Sequence, residues 1–166
     1  MKRSKFKAFN EPGKSFKVVL IPYNENASYF NFLSEQHKRG YRQIIVNSEM
    51  MIELIKILLL EYSLSVANIE FMEDNIELND QISYLLKGAN DGKKEALKAL
   101  LAQLSLIAEE SSIDIKLIEV KGYLNNDIKR PLFFRVQSNG GFSINDNGYE
   151  FVRDVVIKKI EDYFLQ

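Results

Sequence analysis

Hydrophobic residues change period along the chain, and each change predicts a different kind of element. Residues 16–23 (FKVVLIPY) form a short apolar run rich in β-branched side chains and closed by Pro22, which suits a strand buried on both faces. Asn26 is placed to cap a helix that carries Tyr29, Phe30 and Leu33 and ends at Gly40. Residues 41–47 (YRQIIVN) predict a second strand, Ser48 and Glu49 open a helix to about residue 62, and residues 68–73 (NIEFME) predict a third strand. Strand and helix in strict alternation imply right-handed crossovers onto a partly parallel sheet.

The second half changes character. A short helix over 80–87 meets the breaker cluster at 88–92, after which Leu97, Leu100, Leu101, Leu104 and Ile107 recur at helical spacing through residues 93–110. The period then drops to two over 113–124 and 131–138, and Asn139-Gly140-Gly141 turns the chain into a short strand at 142–144, so a hairpin or meander is expected. Asn147 followed by Glu150 is a cap pair for a final helix over 148–164, with Val152, Val155, Val156, Ile160 and Tyr163 as its stripe. The predicted class is mixed α/β: a basic arm over 1–15, then a single globular domain over 16–166.

Composition narrows the chemistry more than the fold. The chain has 166 residues, 46% hydrophobic and 27% charged, as an ordinary globular domain does. Lys and Arg number 22 against 23 for Asp and Glu, so no global field favours nucleic acid or an anionic membrane. With no Cys and only His37, disulfides, thiolate catalysis, iron–sulfur ligation and multi-histidine metal sites are excluded. The loop after the first predicted strand, PYNENAS, has no glycine to cradle a phosphate, and neither cofactor nor metal is expected. The start of the chain lacks the apolar core of a secretory signal. The most apolar window, 50–60, is broken by Glu53 and Lys56 and is half the ~20 residues that span a bilayer. A cytoplasmic protein is therefore expected.

Four constellations could carry function. Lys2, Arg3, Lys5 and Lys7, interleaved with Phe6 and Phe9, could grip phosphates while rings stack on bases. At the carboxyl ends of a parallel sheet, Tyr23, Asn24, Glu25, Asn47, Ser48, Glu49, Glu73 and Asp74 would gather where open α/β sheets hold ligands; helix caps and turns use the same residue types. The helix from Glu49 to Tyr62 is apolar nearly all round, so it is either central to the core or half covered by a partner; an interface through Met51, Ile55 and Leu58 and a homo-oligomer are the expectation. Lastly, Glu119 and Lys121 place a carboxylate and an ammonium on one side of a strand.

That Glu119-Val120-Lys121 stretch resembles the second half of the PD-(D/E)xK nuclease motif, over about ten residues. The resemblance implies a divalent cation held by Glu119 and a water positioned by Lys121. Asp114, Glu73 and Asp74 are the substitutes for the family's second carboxylate. The apolar face switches parity between Leu117 and Ile118, so a β-bulge there would instead make Glu119 and Lys121 a solvated pair. Ser143, Asn145, Asn147, Gly148 and Asp154 fall near the spacing of a calcium loop, although helix capping explains them better. The favoured expectation is a non-enzymatic binding or regulatory module that acts through a protein partner. A metal-dependent nuclease and a nucleic-acid binder working through the basic arm are the alternatives.

Overall fold

A computed structural model describes residues 2–165, and the chain divides into two compact units: residues 1–46 with 134–166, and residues 47–133. Every strand pairing described within either unit is antiparallel, not partly parallel. The first correction explains the topology. Residues 3–10, read from the sequence as part of a basic arm, are strand β1 (Arg3–Asn10), which lies between its neighbours in the sheet of unit 1. Since β2 (Val18–Pro22) returns along β1 as a hairpin with Lys7 opposite Ile21 and Asn10 opposite Val18, the strand at 18–22 no longer begins a parallel array.

In unit 1, β1 has β2 on one side. On its other side it pairs with β7 (Gly141–Asn145) over Arg3–Lys7 and with the two-residue β3 (Arg42–Gln43) at Phe9 and Asn10. β6 (Pro131–Gln137), from Phe134 onward, completes the order β2-β1-β7-β6. The predicted strand at 41–47 is thus mostly an extended connection, tied by the Ile44 N–H to the Ala8 carbonyl at 3.2 Å and the Val46 N–H to the Ser138 carbonyl at 2.9 Å.

Side-chain alternation gives this sheet two faces. Phe6 on one face meets Tyr149, with ring centroids 5.2 Å apart, and Phe134 meets Phe151 at 6.1 Å. Both partners lie on helix α5, residues 149–164, whose middle, Val152–Ile157, is π-helical. On the opposite face Phe9 packs edge-on against Phe32 of α1 (Tyr29–Lys38), 6.0 Å between centroids. Ser28 caps α1, accepting from the Asn31 N–H, where Asn26 was expected to. Gly140 turns β6 into β7 at φ 84°, and a Cβ there would lie 2.4 Å from the Ile44 carbonyl oxygen, so both conformation and space require glycine.

Unit 2 runs α2 (Ser48–Leu60), β4 (Ser65–Phe71), α3 (Ile76–Asn90), α4 (Lys94–Glu110) and β5 (Ile115–Tyr123). The helical hairpin α3–α4 separates β4 from its antiparallel partner β5. α2 packs against both strands and α4, which accounts for its nearly unbroken apolar circumference. Met51, Ile55 and Leu58, predicted to form an interface, are 0% exposed in this core and offer nothing to a second chain. Polar groups here have structural roles. Ser48 Oγ donates to Asp114 Oδ1 at 3.1 Å and accepts from the Ile115 N–H at 2.9 Å, stitching the start of α2 to the start of β5. Asn90, at the end of α3, donates to the Val66 carbonyl at 2.8 Å and accepts from the Val66 N–H at 3.0 Å. Among the described residues, no helix is long and apolar enough to cross a membrane.

Candidate functional site

The alternation of β1 builds the candidate site. Arg3, Lys5, Lys7 and Phe9 share one face of the strand, while Phe6 and Ala8 turn to the other. α1 covers this face at Phe9 and Lys7. Toward Lys5 and Arg3 the face is an open groove of about 800 Å³, lined by Lys2, Arg3, Ser4, Lys5, Pro22, Tyr23, Asn24, Glu25, Asn26, Arg135 and Ser143. Among the described residues that line it, four are cationic (Lys2, Arg3, Lys5 and Arg135) and one, Glu25, is acidic. A chain of net charge −1 therefore carries a local cationic patch.

Register sets the spacing within the groove. The Tyr23 N–H donates to the Lys5 carbonyl at 3.1 Å, Lys5 stands opposite Ser143, and Ser143 stands opposite Arg135. A phenol, an ammonium, a hydroxyl and a guanidinium thus form a row across β2, β1, β7 and β6, roughly 14 Å long at about 4.8 Å per strand. Arg3, opposite Asn145, lies two residues further along β1. Lys5 is ion-paired with Glu25, with side-chain exposures of 42% and 60%. The Tyr23 ring lies against Tyr29 and Phe32, with centroids 5.7 and 5.3 Å away.

Lys7 lies deeper on the same face and was wrongly grouped with the solvent-facing cations of an arm. It is 0% exposed, donates to the Asn139 carbonyl oxygen, and holds its Nζ 5.7 Å from the centroid of the Tyr29 ring. Burial lowers its ammonium from 10.5 to about 8. Burial likewise pushes the Tyr29 hydroxyl up.

The other predicted sites are dispersed. Asn24 and Glu25 belong to the groove of unit 1, whereas Asn47 caps α2 and Ser48 is the stitch to β5. Glu49 lies in the first turn of α2 and Glu73 in the exposed turn after β4. The Met72 N–H donates to the Asp114 carbonyl at 2.9 Å, so Ser48 and the turn bearing Glu73 share one end of unit 2. Glu119 is half-buried opposite Asn68, and Lys121 is exposed opposite Ser65. The pairing skips Lys116 between Leu117 and Ile115, next to the position expected, and also skips Ala67 between Val66 and Asn68; Leu117 and Ile118 are both in the core. No group of three or more His, Asp or Glu side chains able to hold a metal ion occurs among the described residues. Ser143 and Asn145 are on β7 while Asp154 pairs with Arg153 on α5, so the calcium-loop spacing corresponds to no single loop. His37 is exposed in the last turn of α1.

The sequence placed Tyr23 beside Asn24 and Glu25 but did not bring Arg135 or Ser143 to them, because these two reach the groove only through strand register. The signal for β1 was present in the period-two alternation of Lys5-Phe6-Lys7-Ala8-Phe9. No protein-family model matches the chain, and no curated protein or solved structure matches it either.

Proposed function

We propose that unit 1 is a binding module, not an enzyme, and that it takes a single-stranded nucleic acid across the open face of its sheet. The observation that carries this reading is the in-register row of Tyr23, Lys5, Ser143 and Arg135, with Arg3 beside it. Cations repeated along an open groove suit a ligand that repeats its negative charge, and an aromatic ring at one end suits a ligand with flat bases. A shallow sheet face fits an extended strand better than a small metabolite, which needs enclosure on most sides.

The test is the fluorescence anisotropy of a labelled oligodeoxythymidine of about ten nucleotides, titrated at several salt concentrations. Affinity should fall with salt, the log–log slope being about −0.7 for each phosphate contacted. Arg3→Gln and Arg135→Gln should each weaken binding and flatten that slope, with folding checked by circular dichroism. Tyr23→Ala should weaken binding at every salt concentration without flattening it. Affinity independent of salt, or unchanged in the Arg3→Gln, Arg135→Gln double variant, overturns the reading.

A further inference from the structure

The connection from β2 to α1 is short and tied down along its length. Pro22 ends β2, and the Tyr23 N–H is held by the Lys5 carbonyl at 3.1 Å. Asn24 then closes a local turn, its Oδ1 accepting from the Asn26 N–H at 2.9 Å and its carbonyl from the Ala27 N–H at 3.0 Å. Ser28 follows at once as the cap of α1. Glu25 is at the tip of this turn, and its carboxylate returns to the ammonium of Lys5, in the middle of the cationic row. Among the described residues, the one carboxylate lining the groove therefore lies where an incoming phosphate would be drawn. Both side chains of the pair are well exposed, so the contact adds little to folding.

We propose that Glu25 is a specificity-determining residue: an intramolecular competitor that the ligand must displace from Lys5, and that thereby sets a minimum ligand length. This rests on the reading of the groove as a nucleic-acid site. A tethered carboxylate competes at high effective concentration, so a single phosphate displaces it poorly. An oligonucleotide that also reaches Arg3 or Arg135 gains those contacts in the same event and displaces it readily.

The experiment compares wild type, Glu25→Gln, Lys5→Gln and the double variant in binding oligodeoxythymidines of about three and about ten nucleotides. Glu25→Gln should tighten binding roughly two- to fivefold, more for the short ligand than for the long one, and steepen the salt dependence. In the Lys5→Gln background the same substitution should have little effect, because the cation that Glu25 competes for is gone. A gain of equal size in both backgrounds, or equal for both lengths, shows that Glu25 acts only as a general negative charge and overturns its role as competitor while leaving the groove's ligand intact. Absence of binding by all four proteins overturns the reading of the groove and the role of Glu25 with it.

Discussion

The two units are built from the same materials, antiparallel strands covered by helices, but treat polar residues in opposite ways. In unit 2 several polar side chains have a local duty: Asn47 caps a helix, Ser48 stitches two elements, and Asn90 is bonded to a strand. Its core is made by α2 and α4 against β4 and β5, and the charges of β5 remain at its margin. In unit 1 the charges of β1 cap no helix: Lys5 pairs with Glu25, and Lys7 donates to the carbonyl of Asn139 in the turn between β6 and β7. Arg3 and Lys5 stand in a row with groups from other strands, and Lys7 is inside. The contrast supports the proposal that the groove of unit 1 is the binding site, because its cationic residues come from several strands and are brought together by register.

The largest effect that would break this contrast comes from removing residues 1–12. β2 and β7 would both lose the strand they pair with, and Phe9 would leave the contact with Phe32. Loss of cooperative unfolding in unit 1, several kcal/mol or more, is the expected result in urea denaturation followed by near-ultraviolet circular dichroism. An unchanged transition would make β1 a tail and dissolve the distinction between the units.

Lys7 sharpens the contrast through pH. Its ammonium is lowered to about 8 in the folded chain from 10.5. Between those values the unfolded chain binds more protons, so stability rises with pH across that window; the deficit is complete below about 8 and gone above about 10.5. Lys7→Met lacks this deficit. Its stability relative to wild type should therefore be highest near pH 7 and decline by on the order of 2–3 kcal/mol toward pH 10.5, at about 1.4 kcal/mol per pKa unit. Urea titrations of both proteins at the two ends of the window measure the difference, and a difference that does not vary with pH would show that the amine is solvated.

The smallest effect belongs to unit 2. Glu119→Ala should change stability by no more than about 1 kcal/mol and confer or remove no magnesium-dependent cleavage of DNA or RNA. Cleavage by the wild type that disappears in the variant would move the functional site to unit 2.

Legibility in the sequence followed the strength of the pattern. α4, β6 and the last helix were visible because each repeats one period over enough residues to average out exceptions, and β5 was visible in spite of its change of parity at Leu117 and Ile118. The path of the sheet was not, because one strand was misread. Lys5 and Lys7 flank Phe6 in a segment rich in charge, and nothing local says that Lys7 is buried against a backbone carbonyl. Once β1 is left out, β2, α1 and the segment at 41–47 imitate the start of a parallel sheet. Two residues of β3 pair with β1, and the remaining Ile44 and Val46 alternate inward along a connection. Half of the groove was named from the sequence, as Lys2, Arg3, Lys5, Tyr23, Asn24 and Glu25. Arg135 and Ser143 were out of reach because they join it through the pairing of β7 with β1, which sets Ser143 opposite Lys5 across more than a hundred residues of chain.

The paired contacts of Asn90 with Val66 bear on how the protein behaves at high concentration. An unpaired strand edge is a template onto which another chain can add, the usual first step of aggregation. On the side of β4 away from β5, a side-chain amide gives Val66 the donor and acceptor that a neighbouring strand would have given. Asn90 is the last residue of α3, so this protection depends on the final turn of that helix. Fraying of one helical turn, with the core still folded, would bare the backbone at Val66 to a neighbouring molecule and begin self-assembly without global unfolding.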